Sequence, residues 1–194
     1  AYGATSLQYA LLDNGTITKT GTSGVYSKSE NRLLTDDILY GIGSVSKVYT
    51  TAAALKLAEE GKLDIDKPVV DYLPAFTMKD ARYRQITPRM LMNHSSGLNG
   101  SSLQNAFLFD DADTFVAAGS MPAVSAAAAT AGLKADPGAF SVYCNDGFTL
   151  LELLIEKVSG MPFNKYLKET FFIPMGLEHT NTTADTFEEA QLAK

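Results

Sequence analysis

The chain opens on an alternating pattern. Leu7, Tyr9 and Leu11 interleave with Gln8, Ala10 and Leu12, then Asp13-Asn14-Gly15 precedes a second strand-like run at 16–20. Asn-Gly between two such runs predicts a β-hairpin, because both central positions of a tight hairpin turn accept positive φ. A glycine-rich link is expected over 21–24. The period then becomes helical over 47–60, with Val48, Ala52, Leu55 and Ala58 on one side and Gly61 as the stop. Residues 64–88 are irregular and punctuated by Pro68, Pro74 and Pro88, and 91–97 predicts a short helix entering a Ser-Ser-Gly loop. Further helices are expected over 110–118, 121–133, 147–159 and 163–171, with Gly160 ending the third. Strands first and helices after predict an α+β fold, a sheet with a helical insertion.

Composition narrows the class. At 194 residues the chain fits one domain or one domain and a part, and 45% apolar with 20% charged residues excludes a disordered chain. Sixteen Lys and Arg against twenty-two Asp and Glu give a net charge of −6, which argues against a nucleic-acid partner. A single cysteine, Cys144, excludes an internal disulfide, and with two histidines it cannot fill a structural zinc site. No metal and no cofactor are expected. The longest small-apolar tract, 123–133, falls short of the ~18 residues of a membrane span. The opening Ala1-Tyr2-Gly3 lacks a basic start followed by an apolar run, so no signal peptide is expected within the chain. A cytoplasmic protein and a matured exported one both fit.

The candidate chemistry centres on Gly43-Ser44-Val45-Ser46-Lys47. A serine three residues before a lysine at a helix start puts both side chains on one face. Serine is a poor nucleophile without a neighbouring base, and a lysine whose charged form is disfavoured can serve. A solvated capping serine beside a surface lysine fits the same letters. The second element is Tyr143-Cys144-Asn145, on the loop after Pro137-Gly138. Tyrosine acts as a general base when cations lower its pKa, and an asparagine two residues on projects the same way from an extended backbone. A half-buried core aromatic and a turn-former before Gly147 remain the plain alternatives.

Four phrases, in this order, resemble the serine β-lactamase and penicillin-binding-protein superfamily, closest to its class C β-lactamase-like branch. They run from Leu39 to Lys47, from Leu91 through His94-Ser95-Ser96-Gly97 to Leu98, from Pro137-Gly138 through Tyr143-Cys144-Asn145 to Gly147, and from Pro174-Met175-Gly176-Leu177 to Thr180. The resemblance implies a serine hydrolase with Ser44 as the acylated nucleophile, Lys47 as its proton partner, Tyr143 as the general base and Asn145 as a contact to the substrate amide and Lys47. It implies an antiparallel sheet with helices plus an all-helical subdomain, acting on β-lactams or D-Ala-D-Ala-type peptides, with an esterase of the same fold or a non-catalytic half-domain as the alternatives. Cell-wall substrates imply an extracytoplasmic location.

Family members are longer and carry a third motif, Lys or His, then Thr or Ser, then Gly, on a later sheet strand. Nothing after Asn145 supplies it, and Lys19-Thr20-Gly21, placed before Ser44, reads as a coincidence. The expected organisation is 1–62 for the hairpin and nucleophile helix, 63–180 for a mainly helical part with the Tyr-x-Asn loop, and 181–194 as the start of a link to absent C-terminal sheet strands. A complementary C-terminal chain or a strand-swapped self-association is the expected partner. His94 is read as a loop-bracing residue, Cys144 as a packing residue, His179 as a surface residue, and Asp110, Asp111 and Asp113 as a helix start.

Overall fold

The computed structural model of the chain describes residues 3–29, 32–100 and 132–182. They form two compact units, the first reaching Gly43 and the second starting at Ser44. The nucleophile helix, grouped by sequence with the hairpin in 1–62, therefore belongs with the helical part.

The first unit is built on an antiparallel hairpin of β1 (Ser6–Asp13) and β2 (Thr16–Gly24). Its turn is Asn14-Gly15, with φ of 47° and 76°, the conformation that the Asn-Gly pair favours. A register shift between Leu11 and Leu12 leaves Thr18 as the extra residue of a bulge, its hydroxyl donating to the Leu11 carbonyl. The expected link at 21–24 is instead part of β2. Gly21 pairs with Tyr9, and a Cβ there would lie 2.7 Å from the Tyr9 ring. The glycine makes room for an aromatic that covers the strand, so it reads as a packing residue and not as a linker.

The second unit is helical. A 310 turn, Gly43–Ser46, leads into α1 (Lys47–Glu59), and α2 (Pro88–Met92), α3 (Asn145–Ser159) and α4 (Phe163–Leu167) follow, with a π-helical turn at Lys168–Phe172. Helix α3 is the hub, packing against α1, α2 and α4. Its Leu151, Leu154 and Ile155 are fully enclosed together with Ala53, Ala54 and Leu57 of α1, Leu91 of α2, and Phe76 and Ile86 of the irregular stretch between.

Four sequence expectations need correction here. Helix α1 buries Thr50, Ala53, Ala54 and Leu57, and leaves Val48 and Leu55 exposed. Apolar or small residues surround this helix, so its pattern carries little information about which side faces the core. Helix α2 starts earlier than 91–97 because Thr87 caps it, accepting from the Met90 N–H, and Pro88 opens it. Helix α3 begins at Asn145, not Gly147, because Cys144 takes the capping position with its Sγ accepting from Gly147 N–H at 3.3 Å. The helix expected over 163–171 is split between α4 and the π-helical turn. Gly160 ends α3 in the left-handed region, as its position suggests. The helices expected at 110–118 and 121–133, with Asp110, Asp111 and Asp113, lie outside the described residues, apart from Gly132 and Leu133, which are not helical.

Where the described chain resumes at Gly132, it is pinned to the helical unit. Asp80 accepts from Leu133 N–H and pairs with Arg82, whose other amine reaches Asp136 at 2.6 Å. Asn99 donates to the Gly132 carbonyl at 2.7 Å. These contacts fix the start of the stretch that delivers Tyr143.

Candidate active site

Ser44 sits in the 310 turn and Lys47 is the first residue of α1. In a 310 turn residues three apart eclipse one another, so the lysine chain lies over the serine. Its Nζ donates to Ser44 Oγ at 3.1 Å. Tyr143 arrives from ninety-nine residues away and its hydroxyl lies 2.5 Å from the same Oγ. The Lys47 ammonium is also 5.1 Å from the centre of the Tyr143 ring and 5.4 Å from that of Phe148. Three of the four residues singled out by sequence thus converge on one oxygen. The fourth, Asn145, is the first residue of α3, two positions beyond Tyr143.

The stretch carrying Tyr143 is extended and tied to the loop after α2. Val142 N–H donates to the His94 carbonyl at 2.9 Å, Cys144 N–H donates to His94 Nδ1 at 3.1 Å, and Ser141 donates to the Asn93 carbonyl at 2.8 Å. The His94 and Tyr143 rings lie 4.6 Å apart. Tyr143 keeps 52% of its surface open, so the serine, its lysine and the phenol meet where a substrate can reach them.

The electrostatics suit proton transfer. Burial works to raise the Tyr143 pKa, but its hydrogen bonds with Lys47 and Ser44 and the lysine charge outweigh it, so the phenol titrates below its ordinary value. Burial, reinforced by Lys47, lowers the His94 pKa. Burial pushes the Cys144 thiol up, and with 2% exposure and a capping role it has the profile of a packing residue, not a nucleophile. His179 lies on an exposed turn. Lys19, Thr20 and Gly21 form part of β2. Among the described residues no group of three or more His, Cys, Asp or Glu converges to hold a metal ion.

Sequence reasoning missed two features. One is how much of the Tyr143 setting depends on His94, whose backbone has φ of +63°. A histidine just before Ser-Ser-Gly is a signal for such a position, since His is one of the few non-glycine residues enriched there. The other is Glu152 on α3, whose carboxyl is driven well above its ordinary range by burial and by Glu156, against an opposing pull from Lys47. Its Oε2 is shielded and has no hydrogen-bond partner among the described residues.

The β-lactamase family model matches residues 1–194. The chain belongs to the β-lactamase family. Penicillin-binding protein 4 of Amycolatopsis lactamdurans is 30% identical over 161 residues, covering 82% of this chain and 40% of that protein. A protein of Escherichia coli (strain K12), provisionally named a D-alanyl-D-alanine carboxypeptidase, is 29% identical over 175 residues, covering 82% and 38%. The octameric penicillin-binding protein homologue from Pyrococcus abyssi superposes with a TM-score of 0.79 at 26% identity, over 97% of this chain and 43% of that one. The chain thus spans about two fifths of the length of the relatives it matches. The α+β β-lactamase-like fold read from the sequence is the fold of this family.

Proposed function

We propose that the chain carries the nucleophile, the lysine and the base of a serine hydrolase that forms an acyl-enzyme on Ser44. The carrying observation is the shared oxygen: Lys47 Nζ at 3.1 Å and the Tyr143 hydroxyl at 2.5 Å from Ser44 Oγ. In acylation Tyr143 acts as the phenolate, stabilised by Lys47: Ser44 Oγ attacks the carbonyl carbon of an amide or β-lactam, and its proton passes to the phenolate oxygen. The C–N bond then breaks, and the departing nitrogen takes that proton. Water attacks the resulting ester by the same route and frees Ser44. The Ser44 backbone N–H supplies one donor to the developing oxyanion, and Asn145 contacts the substrate amide.

β-Lactams and D-Ala-D-Ala-type peptides are the proposed substrates, supported by relatives named for penicillin binding and for carboxypeptidase activity. Those names also support an extracytoplasmic location. No helix among the described residues is long and apolar enough to cross a membrane. Activity is proposed to require a complementary C-terminal portion that brings the Lys/His-Thr/Ser-Gly strand and the second oxyanion donor, with strand-swapped self-association as the alternative partner for the hairpin edge. Val45, Val48 and Leu55, exposed at and along α1, support that cover, with Val48 67% open.

The test is turnover by the full-length protein of a chromogenic cephalosporin, a D-Ala-D-Ala peptide and a simple ester. Hydrolysis abolished by Ser44→Ala supports the reading, and hydrolysis that survives Ser44→Ala overturns it.

A further inference from the structure

One residue holds the Tyr143 backbone on both flanks. The His94 carbonyl accepts from Val142 N–H at 2.9 Å, and His94 Nδ1 accepts from Cys144 N–H at 3.1 Å, so the amides on either side of Tyr143 end on a single histidine. The imidazole also faces the Tyr143 ring at 4.6 Å, tilted by 35°, and the Phe148 ring of α3 at 5.1 Å. The carbonyl and the side-chain acceptor of His94 therefore hold the residues on either side of Tyr143, and its ring packs on the tyrosine ring itself. The residue does so from a left-handed backbone at φ +63°, which a non-glycine residue adopts only at some cost.

We propose that His94, as a neutral imidazole, is the positioning residue that holds Tyr143 at hydrogen-bond distance from Ser44. The proposal rests on the reading of Tyr143 as the base. Its chemistry follows from Nδ1. A nitrogen that accepts an N–H carries a lone pair, so the proton of the neutral ring sits on Nε2. Protonating Nδ1 would set one N–H against another and break the Cys144 contact. It would also add a cation near Lys47 of α1 and near Lys134, the charged groups among the described residues whose fields act on the ring, with Tyr143 and Cys144 as its titratable contacts. Burial and those two lysines hold the His94 pKa below its ordinary value, so the clamp stays closed at neutral pH and opens only as pH falls below the ordinary histidine range. The phenol then leaves its place beside Ser44 without the core around α3 being disturbed.

Two variants and one spectroscopic measurement on the full-length protein test this. His94→Leu removes the acceptor and should slow acylation of Ser44 by an activated ester by about 10²-fold, the cost of a misplaced catalytic group. His94→Asn puts an amide oxygen where Nδ1 was, tolerates the left-handed backbone and does not titrate. It should acylate within an order of magnitude of the wild type at mildly alkaline pH and lose the part of the acid decline that follows histidine. Wild-type speed in His94→Leu, or an unchanged acid decline in His94→Asn, overturns the proposal. Nuclear magnetic resonance of the unsubstituted protein reads the clamp without any turnover. The Val142 and Cys144 amides and the Tyr143 ring should shift together with the His94 titration, and signals that ignore it overturn the proposal even if His94→Leu fails to fold. If Ser44 is never acylated while these signals still move together, the base reading falls and the positioning stands.

Discussion

Tyr143→Phe removes one oxygen and little else. The phenylalanine ring keeps the 4.6 Å contact to His94 and the 5.1 Å approach of Lys47, while the 2.5 Å hydroxyl contact to Ser44 Oγ disappears. Because Tyr143 is 52% exposed and its hydroxyl serves the site rather than the core, stability should change by less than ~0.5 kcal/mol. Loss of a general base costs about 10²–10⁴-fold, or ~3–5 kcal/mol of barrier. The lower end is expected, because Lys47 remains 3.1 Å from the serine and offers a poorer route for the proton. The assay is stopped-flow acylation with a reporter ester, run beside a thermal melt on the same preparation. An unchanged melt with acylation slowed a hundredfold fits the reasoning. An acylation rate within twofold of wild type refutes it and leaves Lys47 as the sole base.

Other consequences concern residues around the site. Glu152→Gln should raise the melting temperature at mildly alkaline pH and give no gain in acid. The folded state holds the Glu152 proton more tightly than the unfolded chain does, so the wild type loses stability as pH rises from the ordinary carboxyl range toward the raised folded value, and Gln escapes that loss. A melt of Glu152→Gln that parallels wild type at every pH contradicts a carboxyl whose proton is held by burial and by Glu156. Cys144 should resist iodoacetamide in the native state and react fully in denaturant, as mass spectrometry of the alkylated protein reports. Lys19→Ala, in the Lys-Thr-Gly of β2, should leave ester turnover within twofold of wild type; a hundredfold loss would give that triplet a role in the reaction.

Much of this arrangement is legible in the sequence because it rests on local chemistry. Asn14-Gly15 announces its turn, the alternation around it announces β1, and the apolar stripe closed by Gly160 announces α3. Ser44 and Lys47 can be paired because three-residue spacing at a helix start is a local geometry. What escapes is decided by tertiary contact. The buried side of α1 is set by the two alanines that meet α3, and Val48 and Leu55 look equally suited to a core. Gly21 reads as a linker until the Tyr9 ring is seen to lie across it. Asn145 reads as a loop residue because cysteine is an unexpected cap, and only the Sγ contact to Gly147 moves the helix start back. His94 reads from sequence as a loop brace, and it braces the stretch that carries Tyr143 through a contact spanning fifty residues.

The central claim is that Ser44, and not its neighbour Ser46, takes the acyl group. Incubating the full-length protein with a fluorescent penicillin, digesting it and mapping the adduct by tandem mass spectrometry tests this most directly. The account predicts a single adduct on Ser44 that disappears in Ser44→Ala and persists in Ser46→Ala. An adduct on Ser46, or labelling that survives Ser44→Ala, would contradict it.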